Sequence, residues 1–169
     1  MSFLNDTNPA GHTLPKFHEI APNEVQLLLQ NMNTNKASGI DGISAKILKI
    51  AAPCISSSLT PIFNQSILTG VFPDDWKTSK VIPIYKSEAK DEMRNYRPIS
   101  IISTVARIFE KLIYNQIYDY FNNHDLLANS QYGFQPFQST VIALLDITNK
   151  WYQNIHIGKL NGVVSLDLK

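Results

Sequence analysis

The sequence predicts an α+β fold, and three observations carry that prediction. Apolar residues recur at helical spacing in five stretches between residues 22 and 152. Two short β-rich runs, 80–86 and 97–102, flank a polar, charged segment. The chain then closes on GVVSLDLK, an apolar run of strand character that carries one acid. At 169 residues, with 44% apolar and 17% charged side chains, the chain fits one globular domain of ordinary size.

The elements follow in order. Residues 1–20 show no period and are expected to form an arm or linker. Pro22 suits the first position of a helix, and Val25, Leu28, Leu29 and Met32 follow on one face. Lys36-Ala37-Ser38-Gly39-Ile40-Asp41-Gly42 reads as a loop. Ser44 can cap a second helix carrying Ile47, Leu48, Ile50 and Ala51, which Pro53 is expected to stop. A third helix is expected over 56–69, with Ile62, Phe63, Ser66 and Ile67 as its pattern, ended by Gly70 and Pro73. Residues 80–102 predict a β-hairpin in which Pro83 marks an edge. The strongest helical stripe is Val105, Ile108, Phe109, Leu112, Ile113, Ile117 and Tyr120, predicting a helix over 104–121. Residues 124–138 are expected to be a loop. Ser139 can cap a last helix through Trp151, and a turn over 158–162 leads into a strand over 162–168. That strand needs neighbours on both edges, which the hairpin does not supply, so it is expected to stay unpaired or to recruit other chains.

Charge and motif content exclude several function classes. The chain carries one cysteine, Cys54, so it holds no internal disulfide, in keeping with an intracellular site in cytoplasm or nucleus. Neither a secretion signal nor an apolar run of about 18 residues is seen, so no membrane partner is expected. No P-loop pattern occurs, and His12, His18, His124 and His156 show no zinc spacing with each other or with Cys54. Asp74-Asp75, after Pro73, reads as a solvated turn and not as a metal pair. The net charge of +1 hides an uneven distribution: residues 76–111 hold eight basic and four acidic side chains, while 1–75 hold four and six. A local basic field attracts phosphates even on a nearly neutral protein. Within it, Pro98 fixes the backbone directly after Arg97, and Lys86 lies across the hairpin loop, so two cations could converge on one triphosphate. A surface turn is the competing reading of the same residues.

Seven segments in order carry a resemblance. They are Lys36 to Ile43, Gly70-Val71-Phe72-Pro73 with Trp76-Lys77, Val81 to Lys86, Asn95-Tyr96-Arg97-Pro98-Ile99-Ser100, Glu110-Lys111, Gln131-Tyr132-Gly133-Phe134 with Ser139-Thr140, and Leu166-Asp167-Leu168-Lys169. Over about residues 17–169 the chain resembles the N-terminal part of the reverse transcriptases of non-LTR, LINE-like retrotransposons. The resemblance implies an incomplete right-hand polymerase: a partial reverse transcriptase domain over 21–169, with helix-rich fingers over 21–160 and the first palm strand over 162–168. It implies that Lys86 and Arg97 bind nucleotide, that Gly133, Phe134 and Gln135 lie near the template, and that Asp167 is the first catalytic, metal-binding carboxylate. RNA template, DNA primer, deoxynucleotide triphosphates and two Mg²⁺ ions are the implied partners and cofactors. Gln135 stands where the family usually has arginine, which removes a charged phosphate contact. A tyrosine-x-Asp-Asp segment does not occur in the chain, and one aspartate cannot position two magnesium ions, so polymerisation by this chain alone is not expected. Two further readings stand beside it: an RNA-binding or interaction module without catalysis, and an inert remnant of a mobile element.

Overall fold

A computed structural model describes residues 15–166. The elements run α1 (Pro22–Asn31), α2 (Ala45–Thr69), α3 (Asp74–Lys77), β1 (Lys80–Tyr85), a 3₁₀ turn (Met93–Asn95), β2 (Tyr96–Ile101), α4 (Thr104–Asn123) and α5 (Thr140–His156). The class is therefore α+β. The chain divides into two compact units, Met1–His124 and Asp125–Lys169.

In the first unit, Pro22 occupies the start of α1, and Glu24 turns back so that its carboxylate accepts the Ala21 N–H at 2.7 Å. Val25 and Leu29, one turn apart, are fully buried. The most informative departure from expectation is α2. Pro53 does not stop it; one 25-residue helix runs through both Pro53 and Pro61. The buried stripe explains why. Ala45, Leu48, Ala52, Ser56, Thr60, Phe63 and Ser66 recur every three or four residues across both prolines, while both prolines face solvent. The carbonyls that lose a partner to each proline therefore lie on the exposed side, where solvent can supply the missing donor. Ser44 caps the start, its Oγ accepting the Ile47 N–H, and Gly70 ends the helix in the left-handed region at φ 67°.

The core lies where α1, α2 and α4 meet: Ile20, Val25, Leu29, Leu48, Ala52, Phe63, Ile108, Phe109 and Leu112. Its hub is four aromatic rings. Phe63 stacks on Phe109 at 5.2 Å between centroids, and Trp76 lies 5.6 Å from each. Phe72 closes the group at 5.7 Å from Trp76 and 5.8 Å from Phe109. The Gly-Val-Phe-Pro and Trp-Lys segments singled out in the sequence thus fasten α3 and its approach to α2 and α4. Two side-chain amides tie the chain ahead of α1. Asn64 accepts the Ile20 N–H and donates to the Ile20 carbonyl, and Gln116 does the same for His18.

The hairpin is antiparallel, Lys80 facing Ile101 and Tyr85 facing Tyr96, and it is the only sheet among the described residues. Pro83 stands directly opposite Pro98. The Lys86 N–H donates to the Asn95 carbonyl at 2.8 Å, which sets the alternation of the ladder. By that alternation the proline pair falls at a position where no cross-strand bond is made. Neither proline therefore costs the hairpin a hydrogen bond.

In the second unit, Ser139 caps α5 through its Oγ and the Ile142 N–H, and the helix extends five residues past the expected Trp151. Residues 161–166, which include the start of the run of strand composition, have no regular structure, and Val163, Val164 and Leu166 are exposed. The rest of that predicted strand, with Asp167, lies outside the described residues. Among the described residues no helix is long and apolar enough to cross a membrane.

Candidate functional site

The site begins with strand register. Arg97 pairs with Ile84, and Lys86 is two residues beyond Ile84. Side chains two apart share a face of a strand, so Lys80, Lys86 and Arg97 belong to the same face of the hairpin. Lys86 and Arg97 are diagonal neighbours, a relation that places β-carbons within about 7–8 Å of each other. That spacing lets two long cationic side chains reach one polyphosphate. All three cations are exposed, and none makes an ion pair with a described residue.

The opposite face is occupied. Tyr85 and Tyr96 meet edge to face at 5.7 Å. The Tyr85 hydroxyl donates to the Glu88 carbonyl, and that of Tyr96 to the Lys90 carbonyl at 2.8 Å. Lys90 lies over the Tyr85 ring at 5.5 Å, and the buried Asn95 amide donates to the Ala89 carbonyl. Arg94 is neutralised by Glu92. The loop is thus pinned over the tyrosine face, and two of its own basic residues, Lys90 and Arg94, are used internally. What remains open is the Lys80, Lys86 and Arg97 face.

The other sequence-predicted residues belong to the second unit. Gly133 has open space around the position of a Cβ. Phe134 and Phe137 both adopt positive φ, 60° and 61°, and both rings are fully exposed. Gln135 is half-buried between them, its Nε2 buried and without a partner. Gln135 therefore turns inward, while Phe134 and Phe137 on either side turn out. Tyr132 anchors this loop, donating from its hydroxyl to Asp146 Oδ2 at 2.6 Å, and Lys150 donates to the same oxygen at 2.6 Å. The Lys150 and Tyr132 donors hold the Asp146 carboxyl below the usual carboxylate range. The bond to Asp146 pushes the Tyr132 phenol and the Lys150 ammonium upward.

One functional-type residue escaped sequence reasoning. Arg107 donates from Nη2 to the Ala37 carbonyl at 2.8 Å and to Thr104 Oγ1 at 3.2 Å, tying the 36–42 loop to α4. Gly39 shows how tight this packing is: a Cβ there would lie 2.7 Å from the Ser103 backbone. As for metal, no group of three His, Cys, Asp or Glu side chains suited to an ion occurs among the described residues.

No protein-family model matches the chain. Several curated proteins are similar to it. A probable RNA-directed DNA polymerase from transposon BS of Drosophila melanogaster is 26% identical over 147 residues, 86% of this chain and 16% of that protein. A probable RNA-directed DNA polymerase from the X-element transposon of the same organism is 30% identical over 121 residues, 71% of this chain and 13% of its own length. The RNA-directed DNA polymerase from its mobile element jockey is 27% identical over 127 residues, 75% of this chain and 14% of that protein. The chain therefore spans about one-seventh of the length of these relatives, each named as an RNA-directed DNA polymerase of a transposon or mobile element.

Proposed function

We infer, from the chain's homology to the RNA-directed DNA polymerases of non-LTR retrotransposons, that it forms the nucleotide-facing fingers segment of a reverse transcriptase. The observation that carries this reading is the register of the hairpin, which sets Lys86 and Arg97 as diagonal neighbours on one open face. In this role the two side chains hold the triphosphate of an incoming deoxynucleotide. Arg97 offers a planar fork of donors and Lys86 a mobile point charge, a pairing suited to spreading positive charge over several phosphate oxygens. The loop at Gly133, Phe134 and Gln135 lies along the RNA template, its outward phenylalanines offering faces for unpaired bases. The primer is DNA and the setting intracellular.

Divalent metal chemistry belongs to the whole polymerase. The described residues offer no set of oxygen ligands for two magnesium ions, and Asp167 is the one acid proposed to contribute from this chain. The 169-residue polypeptide is accordingly proposed not to extend a primer alone. Nucleotide binding is the activity to measure. Titration with a deoxynucleotide triphosphate at low salt should give saturable binding that Lys86→Ala and Arg97→Ala each weaken about tenfold, the loss expected for one charge-assisted contact. Triphosphate affinity left unchanged by the double substitution would sink the assignment, as would primer extension by the isolated chain for the claim of inactivity.

A further inference from the structure

A second concentration of positive charge lies toward the base of the hairpin, where Lys36 and Arg107 adjoin residues 99–102. A cavity of about 620 Å³ is bounded by the end of α1, the loop behind it, and the first three turns of α4. Its size falls within the range of small-molecule sites, about 300–1,000 Å³. Lys36, Arg107 and Lys111 line it, against the single acid Glu110. None of the four makes an ion pair with a described residue. Lys111 is steadied by the Tyr114 ring, 4.1 Å below its Nζ. Arg107 is steadied by its bonds to Ala37 and Thr104, yet its Nε is buried and has no acceptor. A buried cationic group with an unmet donor is costly, and a phosphate held in the cavity beside it would offset that cost by its charge. The remaining wall is apolar, formed by Leu28, Met32 and Ile108.

We propose that this cavity binds a single nucleotide unit, its phosphate held by Lys36, Arg107 and Lys111 and its base laid against Leu28, Met32 and Ile108. The chemistry is the same whether the unit is a free nucleotide or one link of a single strand. The site stands apart from the triphosphate reading of the hairpin and does not require it.

The test uses the full chain titrated with adenosine monophosphate at low salt, with Lys36→Gln/Lys111→Gln as the site variant and Lys86→Ala/Arg97→Ala as the hairpin variant. Lys36 and Lys111 are exposed, so the site variant is expected to keep the wild-type circular dichroism spectrum and melting curve. Saturable binding is expected with a Kd on the order of a millimolar or tighter, weakened at least about tenfold in the site variant and unchanged in the hairpin variant. Adenosine, lacking the phosphate, should bind at least about tenfold more weakly. A short single-stranded RNA that displaces the nucleotide assigns the natural source to a strand; failure to displace it assigns a free nucleotide, and both results uphold the site. No saturable binding, binding unchanged in the site variant, binding lost only in the hairpin variant, or adenosine binding as tightly as its monophosphate would each overturn the proposal.

Discussion

At Gly39 the absence of a side chain has a structural reason. The 36–42 loop lies so close to Ser103, the residue that caps α4, that any Cβ would overlap backbone atoms. Backbone cannot swing aside as a flexible side chain can. Gly39→Ala is therefore expected to destabilise the chain by about 1–3 kcal/mol, read as a lower midpoint in urea. Lys86 and Arg97 could be paired from sequence because a hairpin's register follows from local pattern. Arg107 and Gly39 could not, because their partners lie some 60–70 positions away and nothing nearby announces the contact. The Tyr132, Asp146 and Lys150 group makes a prediction about pH. Asp146 titrates below its ordinary range, so its contribution is present above that range and is lost as pH falls through the lowered folded value. Tyr132 and Lys150 titrate above theirs, so their contribution is present below those ranges and is lost as pH rises through the raised folded values. The anchor should hold across the neutral range and open at both extremes. Asp146→Asn should bring the Tyr132 phenol back down toward the ordinary range, followed by ultraviolet absorbance.

Among the elements, α2 shows which effect wins when local and global preferences conflict. Each interior proline disfavours a helix by about 3 kcal/mol relative to alanine. Against that stands a stripe of inward residues spanning both prolines, centred on the fully buried Phe63. Burying one large apolar side chain contributes about 1.5–3 kcal/mol, and the stripe holds several. The stripe wins. Phe63→Ala should cost about 3–5 kcal/mol, whereas Ile50→Ala, on the exposed face of the same helix, should change stability by less than about 0.5 kcal/mol. Pro53→Ala should stabilise by about 1–2 kcal/mol, the helical gain being partly offset by greater freedom of the unfolded chain. Sequence reading failed at Pro53 because it applied a local rule where the apolar spacing, itself readable, continued unbroken. Elsewhere the caps at Ser44 and Ser139 and the stop at Gly70 were legible because each is decided within one turn of chain.

For the molecule as a whole, burial is concentrated in the first unit. Every core residue precedes His124, and among described residues 125–166 none is buried. α5 shows the clear helical period that made it legible, yet Val141, Leu144, Leu145, Tyr152 and Ile155 are all exposed. Its amides should exchange with solvent faster than those of α2, since opening there uncovers little apolar surface. Removing residues 125–169 should leave the main thermal transition in place. The closing run follows the same logic: Val163, Val164 and Leu166 have strand composition, but a strand exists only where a neighbour supplies bonds, and no described residue pairs with 161–166.

The facing prolines of the hairpin bear on how the chain survives in company. At Pro83 and Pro98 the missing N–H points outward on each flank of the ribbon, so a foreign segment trying to zip alongside would find its row of donors interrupted on both sides. The ribbon can therefore display Ile84 and Ile99 to water without offering a continuous edge on which fibres could grow.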